Sequence, residues 1–173
     1  RFNVGGAPLV NHRTWALASD GDLMEGVASE AASLAGHLRL GKLTVIYDDN
    51  SITIDGRTEL AFSEDVGARF EAYGWRVLRV DDGNDLAAID TALADAAGQE
   101  ERPTLIVLRT VIADPAPTKR DTPGAHGAPL GEAEVRAAKE AMGFVPDATF
   151  AVADEVREHM AVVRERGVEL QRE

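Results

Sequence analysis

Apolar residues in this chain keep two spacings, and the spacings take turns. Short continuous runs occur at His12–Ala18 (HRTWALA), Leu43–Tyr47 (LTVIY), Trp75–Val80 (WRVLRV) and Thr104–Val111 (TLIVLRTV). Runs of this kind predict strands covered on both faces. Between them, apolar residues recur at helical spacing: Val27, Ala31, Leu34, Ala35 and Leu38; then Val66, Phe70 and Tyr73; then Leu86, Ile89 and Leu93. Gly41, Gly74 and Gly98 are expected to stop these helices, with Ser63 and Asn84 as caps of the second and third. Four strands alternating with three helices predict an α/β fold, a parallel sheet covered by helices with right-handed crossovers. Ala113–Gly131 reads as a long loop with four prolines, the kind of segment that often carries function. Two more helices are expected, near Glu132–Met142 and from Asp154 onward, the latter with Val156, Met160 and Val163.

The chain has 173 residues, 45% hydrophobic and 28% charged, as expected of one globular domain. A net charge of −12 disfavours nucleic acid as a partner, because phosphate backbones need clustered Lys and Arg. It does not disfavour a phosphorylated cofactor whose charge a metal ion and amide N–H groups neutralise locally. No apolar run nears the length of a membrane span, and no secretory signal pattern or Cys is present. These features predict a cytoplasmic protein away from membranes.

The densest chemistry lies between Ser19 and Gly56. Ser19-Asp20-Gly21 ends one predicted strand and Asp48-Asp49-Asn50 ends the next, with room between them for one helix and one strand. Parallel sheets bind ligands beyond the carboxyl ends of their strands, where Asp20 and Asn50 both fall. An Asp, an Asn and a nearby backbone carbonyl suit a hard divalent cation that also holds a diphosphate. Singly, each residue has a plainer reading: Asp20-Gly21 as a strand-to-helix turn, and Asn50 as a turn former. Asp48 and Asp49 adjoin, but neighbours in a strand point to opposite faces. His12, His37 and His159 have no partner at metal-ligand spacing.

The stretch MEGVASEAASLAGHLRLGKLTVIYDDNSITIDG resembles the cofactor-binding region of transketolases. So do SEDVGARFEAYGW, the Ala125–Gly131 run AHGAPLG, and FAVADEVREHM. The resemblance implies a thiamine diphosphate-binding fold and a site. Asp20 and the Asn50 side chain, with the Ile52 backbone carbonyl, would hold Mg²⁺ (or Ca²⁺ or Mn²⁺). Gly21 and Asn50 would approach the cofactor. His126 would be the catalytic histidine that reaches the active centre and helps position diphosphate and substrate. Glu25 resembles a carboxylate linking the two active sites of a dimer; its plainer role is to favour a helix N-terminus. His126 in its Gly/Pro loop has the plainer role of a loop hydrogen-bonder.

The implied activity is Mg²⁺- and thiamine diphosphate-dependent transfer of a two-carbon ketol unit between sugar phosphates. The alternatives are a related ketol or aldehyde transferase such as a dihydroxyacetone synthase, and a non-catalytic or split-subunit cofactor-binding module. Residues 1–145 correspond to the diphosphate-binding domain, incomplete at its N-terminus. Residues 146–173 form a helical segment leading toward a missing pyrimidine-binding domain. The resemblance therefore implies a homodimer or a partner chain that supplies that domain, and an isolated chain that is incomplete for catalysis and prone to associate. Two local departures stand out. Ser19 replaces the glycine that usually precedes the metal Asp, and Ala113–Lys119 keeps the order of Pro and Lys but not the glycines of the family loop.

Overall fold

The computed structural model describes Asn3, Gly5 and residues 8–172. Four strands form one sheet: β1 (Thr14–Ser19), β2 (Leu43–Asp49), β3 (Arg76–Val80) and β4 (Thr104–Arg109). All three pairings are parallel and the spatial order is β1-β2-β4-β3. The last strand in sequence therefore lies in the middle, and it is the most buried, with Leu105 fully enclosed.

Among the described residues, six α-helices accompany the sheet. They are α1 (Asp20–Met24), α2 (Gly26–His37), α3 (Val66–Ala72), α4 (Leu86–Ala97), α5 (Glu132–Ala141) and α6 (Asp154–Arg172). One apolar layer joins Leu23, Ala32 and Ala35 of α1 and α2 to Val66 and Phe70 of α3, over Tyr47, Leu105 and Val107. Ala92 and Ala96 of α4 pack on the opposite face with Val80 and Ile106. This second layer stops short of β1, whose Leu17 is 83% exposed while its neighbour Ala18 packs into the first layer. The alternation is that of a strand, but only one face of β1 is covered among the described residues.

At the helices the structure departs from the sequence reading in four places. Asp20-Gly21 is not a turn but the opening of the one-turn helix α1, with Ser19 as N-cap. The caps of α3 and α4 are Asp65 and Asp85, not Ser63 and Asn84. Each carboxylate directly precedes its helix and accepts from an amide of the first turn, Ala68 for one and Ala87 and Ala88 for the other. Asn84 instead donates to Asp114 at 3.2 Å.

Third, the buried stripe of α2 is Ala32, Ala35 and Gly36, whereas Val27, Leu34 and Leu38 lie outside. Small residues let the helix approach closely: a Cβ on Gly36 would sit 1.9 Å from the Tyr73 carbonyl oxygen. Finally, α2 ends at His37, before Gly41, and Arg39 takes the left-handed conformation beyond it. Gly41 has a different task, since a Cβ there would lie 1.8 Å from the Glu100 carbonyl oxygen. Gly74, with φ of +86°, follows α3 as expected.

Arg69 of α3 ties these helices to the α1–α2 junction. It donates to the Leu23 carbonyl at 2.9 Å and to Ser29, and pairs with Glu64 at 2.6 Å. The junction is thereby fixed at the carboxyl end of β1.

Candidate cofactor and metal site

Ser19 pairs with Asp48 across β1 and β2, and Asp49 pairs with Arg109 across β2 and β4. The register brings the segments that follow β1, β2 and β4 to one end of the sheet. Asp20 is the first residue of α1. Ser19 N–H and Oγ both donate to Asp22 Oδ2, at 2.8 and 2.9 Å, and this box holds the first turn in place. These hydrogen bonds keep the Asp22 carboxyl below the usual carboxylate range.

Asp20 is 2% exposed. Its Oδ1 accepts from the Tyr47 hydroxyl and its Oδ2 from the Ser51 N–H at 3.0 Å. Among the described residues it has no ion-pair partner. Burial pushes the carboxyl above its ordinary value, the Tyr47 hydrogen bond opposes this, and the charge of Asp49 adds to it. Burial, and then the same hydrogen bond, push the Tyr47 hydroxyl up.

Asn50 follows β2 and is also buried. Its Oδ1 accepts the Ile52 N–H at 2.9 Å and its Nδ2 faces Asp48 Oδ2 at 3.4 Å. Ser51 between them has φ of +61°, a left-handed conformation. The Ile52 side chain belongs to the interior, 2% exposed. Its carbonyl oxygen, by contrast, accepts no hydrogen bond among the described residues. Arg109 at the end of β4 grips this loop. Its Nη1 donates to Ser51 Oγ at 2.6 Å, the Asp49 carbonyl at 3.1 Å and Asp49 Oδ1 at 3.2 Å.

A cleft of about 700 Å³ opens beside these residues, lined by Ser19, Asp22, Asp48, Asn50, Thr110 and His126 among others. His126 is exposed, and its backbone N–H donates to the Pro123 carbonyl at 2.9 Å. Its loop is anchored from α5. The Glu134 carboxylate accepts from the Thr118 N–H (2.6 Å), the Thr118 hydroxyl (2.9 Å) and the Lys119 N–H (3.0 Å). These contacts hold its carboxyl below the usual range, the Thr118 amide contributing most. Arg57 and Asp121 pair at 2.6 Å and link this loop to the one after Asn50.

The structure thus gathers Asn50 and His126 around one cleft, whereas Asp20, held against the Ser51 amide, lines a neighbouring pocket with Tyr47, Asp49 and Ser51. Gly21 lies on α1 in an ordinary helical conformation, and a Cβ there would meet no atom within 4 Å. Neither backbone conformation nor packing among the described residues requires a glycine at that position. Glu25 is exposed at the junction of α1 and α2, and its side chain pairs with no described residue. His12, His37 and His159 are exposed and away from the cleft, and β1 starts at Thr14, not His12. Tyr47, Arg109 and Glu134 are site contacts that the sequence alone did not single out. Only Tyr47 left a signal, since the hydroxyl of a tyrosine in a strand buried on both faces needs a partner.

Over residues 1–173 the chain matches the family described as transketolase, thiamine diphosphate binding domain. This chain belongs to the transketolase family. It is 52% identical to the transketolase of Geobacillus stearothermophilus over 167 residues, 96% of this chain and 25% of that protein. It is likewise 52% identical to the Treponema pallidum transketolase over 170 residues, 98% of this chain and 25% of that one. The solved transketolase of Leishmania mexicana superposes with a TM-score of 0.92 at 40% identity, covering 99% of this chain and 26% of that one. That of Campylobacter jejuni gives 0.82 at 42% identity, with 87% and 23% covered. The chain therefore spans about a quarter of the length of the transketolases it matches, and the parallel α/β architecture is theirs.

The residues present fit a metal–diphosphate group. Among the described residues no three His, Cys, Asp or Glu side chains converge on one point. The candidate oxygen donors are one buried carboxylate with no ion-pair partner and one carbonyl with no hydrogen bond among the described residues, and an amide oxygen that accepts the Ile52 N–H. Hard oxygens with a single carboxylate suit Mg²⁺, which takes further ligands from phosphate and water.

Proposed function

We propose that this chain is the diphosphate- and metal-anchoring part of a transketolase that moves a two-carbon ketol unit between sugar phosphates. The observation that carries the reading is Asp20, a buried carboxylate with no counter-charge among the described residues, at the carboxyl ends of β1 and β2. A buried charge of this kind is costly unless a cation joins it. Asp20, the Asn50 carboxamide and the Ile52 carbonyl would hold Mg²⁺. Thiamine diphosphate, when bound, supplies the electron sink for breaking and making the carbon–carbon bond.

This chain's own part is to bind and orient. The open space at Gly21 admits the diphosphate to the backbone of α1. The cleft beside Asn50 and His126 holds the cofactor, and His126 hydrogen-bonds the diphosphate or substrate from its anchored loop. The aspartates lining the cleft, Asp22 and Asp48, have their carboxylates turned to Ser19 and to Thr110 and Asn50, which leaves the cation to meet the phosphates.

Residues 1–145 serve as the diphosphate-binding unit, and 146–173 lead toward the unit that binds the pyrimidine. That second unit comes from a partner subunit of a dimeric, cytoplasmic enzyme. No described helix is long and apolar enough to cross a membrane. Isothermal titration of full-length enzyme with thiamine diphosphate in Mg²⁺ tests the reading: Asp20→Ala should abolish the binding heat. Undiminished cofactor affinity in that variant overturns it.

A further inference from the structure

We propose that Tyr47 and Arg109 are positioning residues for the metal carboxylate, Tyr47 acting on Asp20 directly and Arg109 through Ser51. The inference rests on the reading of Asp20 as a metal ligand.

A carboxylate held at one oxygen can still rotate about its Cβ–Cγ bond. Asp20 is held at both, Oδ1 by the Tyr47 hydroxyl and Oδ2 by the Ser51 amide. Each oxygen keeps a free lone pair, so the clamp orients the group without using up its capacity to ligate. The Tyr47 ring is 3% exposed in the main apolar layer, so the hydroxyl cannot swing away to water. As a core tyrosine alone, it would be satisfied by any backbone carbonyl; its partner is instead the buried carboxylate with no counter-charge.

The second arm depends on backbone conformation. Ser51 presents its amide to Asp20 from a left-handed φ of +61°, which L-residues adopt only where neighbours impose it. Arg109 Nη1 is that neighbour, bonded to the Ser51 hydroxyl and to both Asp49 oxygens named above. Ser51 sits between Asn50 and Ile52, the two other expected ligands. One guanidinium on β4 thus fixes the backbone from which both project. Partners that orient metal ligands from behind typically change metal affinity by 10–100-fold when removed.

The test uses full-length enzyme and calorimetric titration of Mg²⁺ at saturating thiamine diphosphate, with Asp20→Asn as control. Tyr47→Phe should weaken Mg²⁺ by about 10–100-fold, and Arg109→Ala by about tenfold, on the scale of such supporting contacts. The melting temperature of the metal-free protein should stay near wild type in Arg109→Ala and fall by a few degrees in Tyr47→Phe, which leaves a buried carboxylate oxygen without its donor, and kcat at saturating Mg²⁺ should stay near wild type in both. Arg109 is partly exposed, so its variant remains informative even if Tyr47→Phe folds poorly. Wild-type Mg²⁺ affinity in a folded variant overturns the role of that residue, and so does a lost kcat that excess Mg²⁺ does not restore. If Asp20→Asn itself keeps wild-type Mg²⁺ affinity, the metal reading fails. If it loses Mg²⁺ while both other variants keep it, only the positioning inference fails.

Discussion

Replacing Asp20 by Asn should stabilise the metal-free protein while removing its response to Mg²⁺. The two side chains have nearly the same shape. In the variant, Oδ1 can accept the Ser51 N–H, and Nδ2 can donate to the Tyr47 hydroxyl, which turns from donor to acceptor. Both contacts survive in neutral form, and the buried charge disappears. An unpaired buried ion costs several kcal/mol, of which two charge-assisted hydrogen bonds return roughly 2 kcal/mol each. The variant should therefore gain about 1–3 kcal/mol at pH 7 without metal.

The gain should depend on pH. Burial raises the Asp20 carboxyl above its ordinary 3.8, so over the window from there up to its raised value the folded state binds more protons than the unfolded. Wild-type stability then falls as pH rises through that window and returns on acidification, and the variant lacks this component. Mg²⁺ and thiamine diphosphate should reverse the order. At a ligand concentration of 100 times Kd, wild type gains about 2.7 kcal/mol and the variant nothing. The assay is the first thermal transition of full-length enzyme at several pH values, with chelator or with cofactor. An Asn variant that melts below wild type in chelator at pH 7, or that gains as much from cofactor, refutes the reasoning.

Three further outcomes follow from the same geometry. His126→Ala should lower turnover of the full-length enzyme while leaving its melting temperature within about a degree, because the exposed ring packs against little; steady-state kinetics beside a thermal scan check this. Glu134→Ala should release the Thr118 and Lys119 amides, seen as faster hydrogen exchange at both and quicker proteolysis within 113–131, with α5 itself unchanged. Gly41→Ala should cost about 1–3 kcal/mol or prevent folding, since its Cβ meets the rigid Glu100 backbone; a wild-type denaturation midpoint would contradict the close approach.

The alternation of strand and helix was legible because continuous runs such as Leu43–Tyr47 and Thr104–Val111 contain little else. Element ends were less so. Ser63 and Asn84 are good capping residues by type, yet Asp65 and Asp85 stand next to the first helical residue and take the task. The buried side of α2 was misread for a tertiary reason. Periodicity favours large residues, but the close approach to Tyr73 selects Ala32, Ala35 and Gly36. Asp20 and Asn50 could be singled out from their local spacing, and Gly21, Ile52 and His126 through the family resemblance of the surrounding stretches. Arg109 and Glu134 could not, because their partners lie 58 and 16 positions away and only the folded register joins them.

The sheet order has a consequence for synthesis on the ribosome. β4 emerges last of the four strands and must enter between β2 and β3, which until then have no common neighbour. While residues 104–109 are still inside the exit tunnel, β1 and β2 can pair, but the arginine that steadies the Asn50–Ile52 loop has not arrived. On the proposed reading of Asp20, Asn50 and Ile52, a nascent chain short of Arg109 would be a poor trap for Mg²⁺ and thiamine diphosphate. Cofactor capture would then be a late event that registers completion of the sheet, and a cell short of thiamine would lose finished protein from its folded pool while earlier intermediates went unaffected.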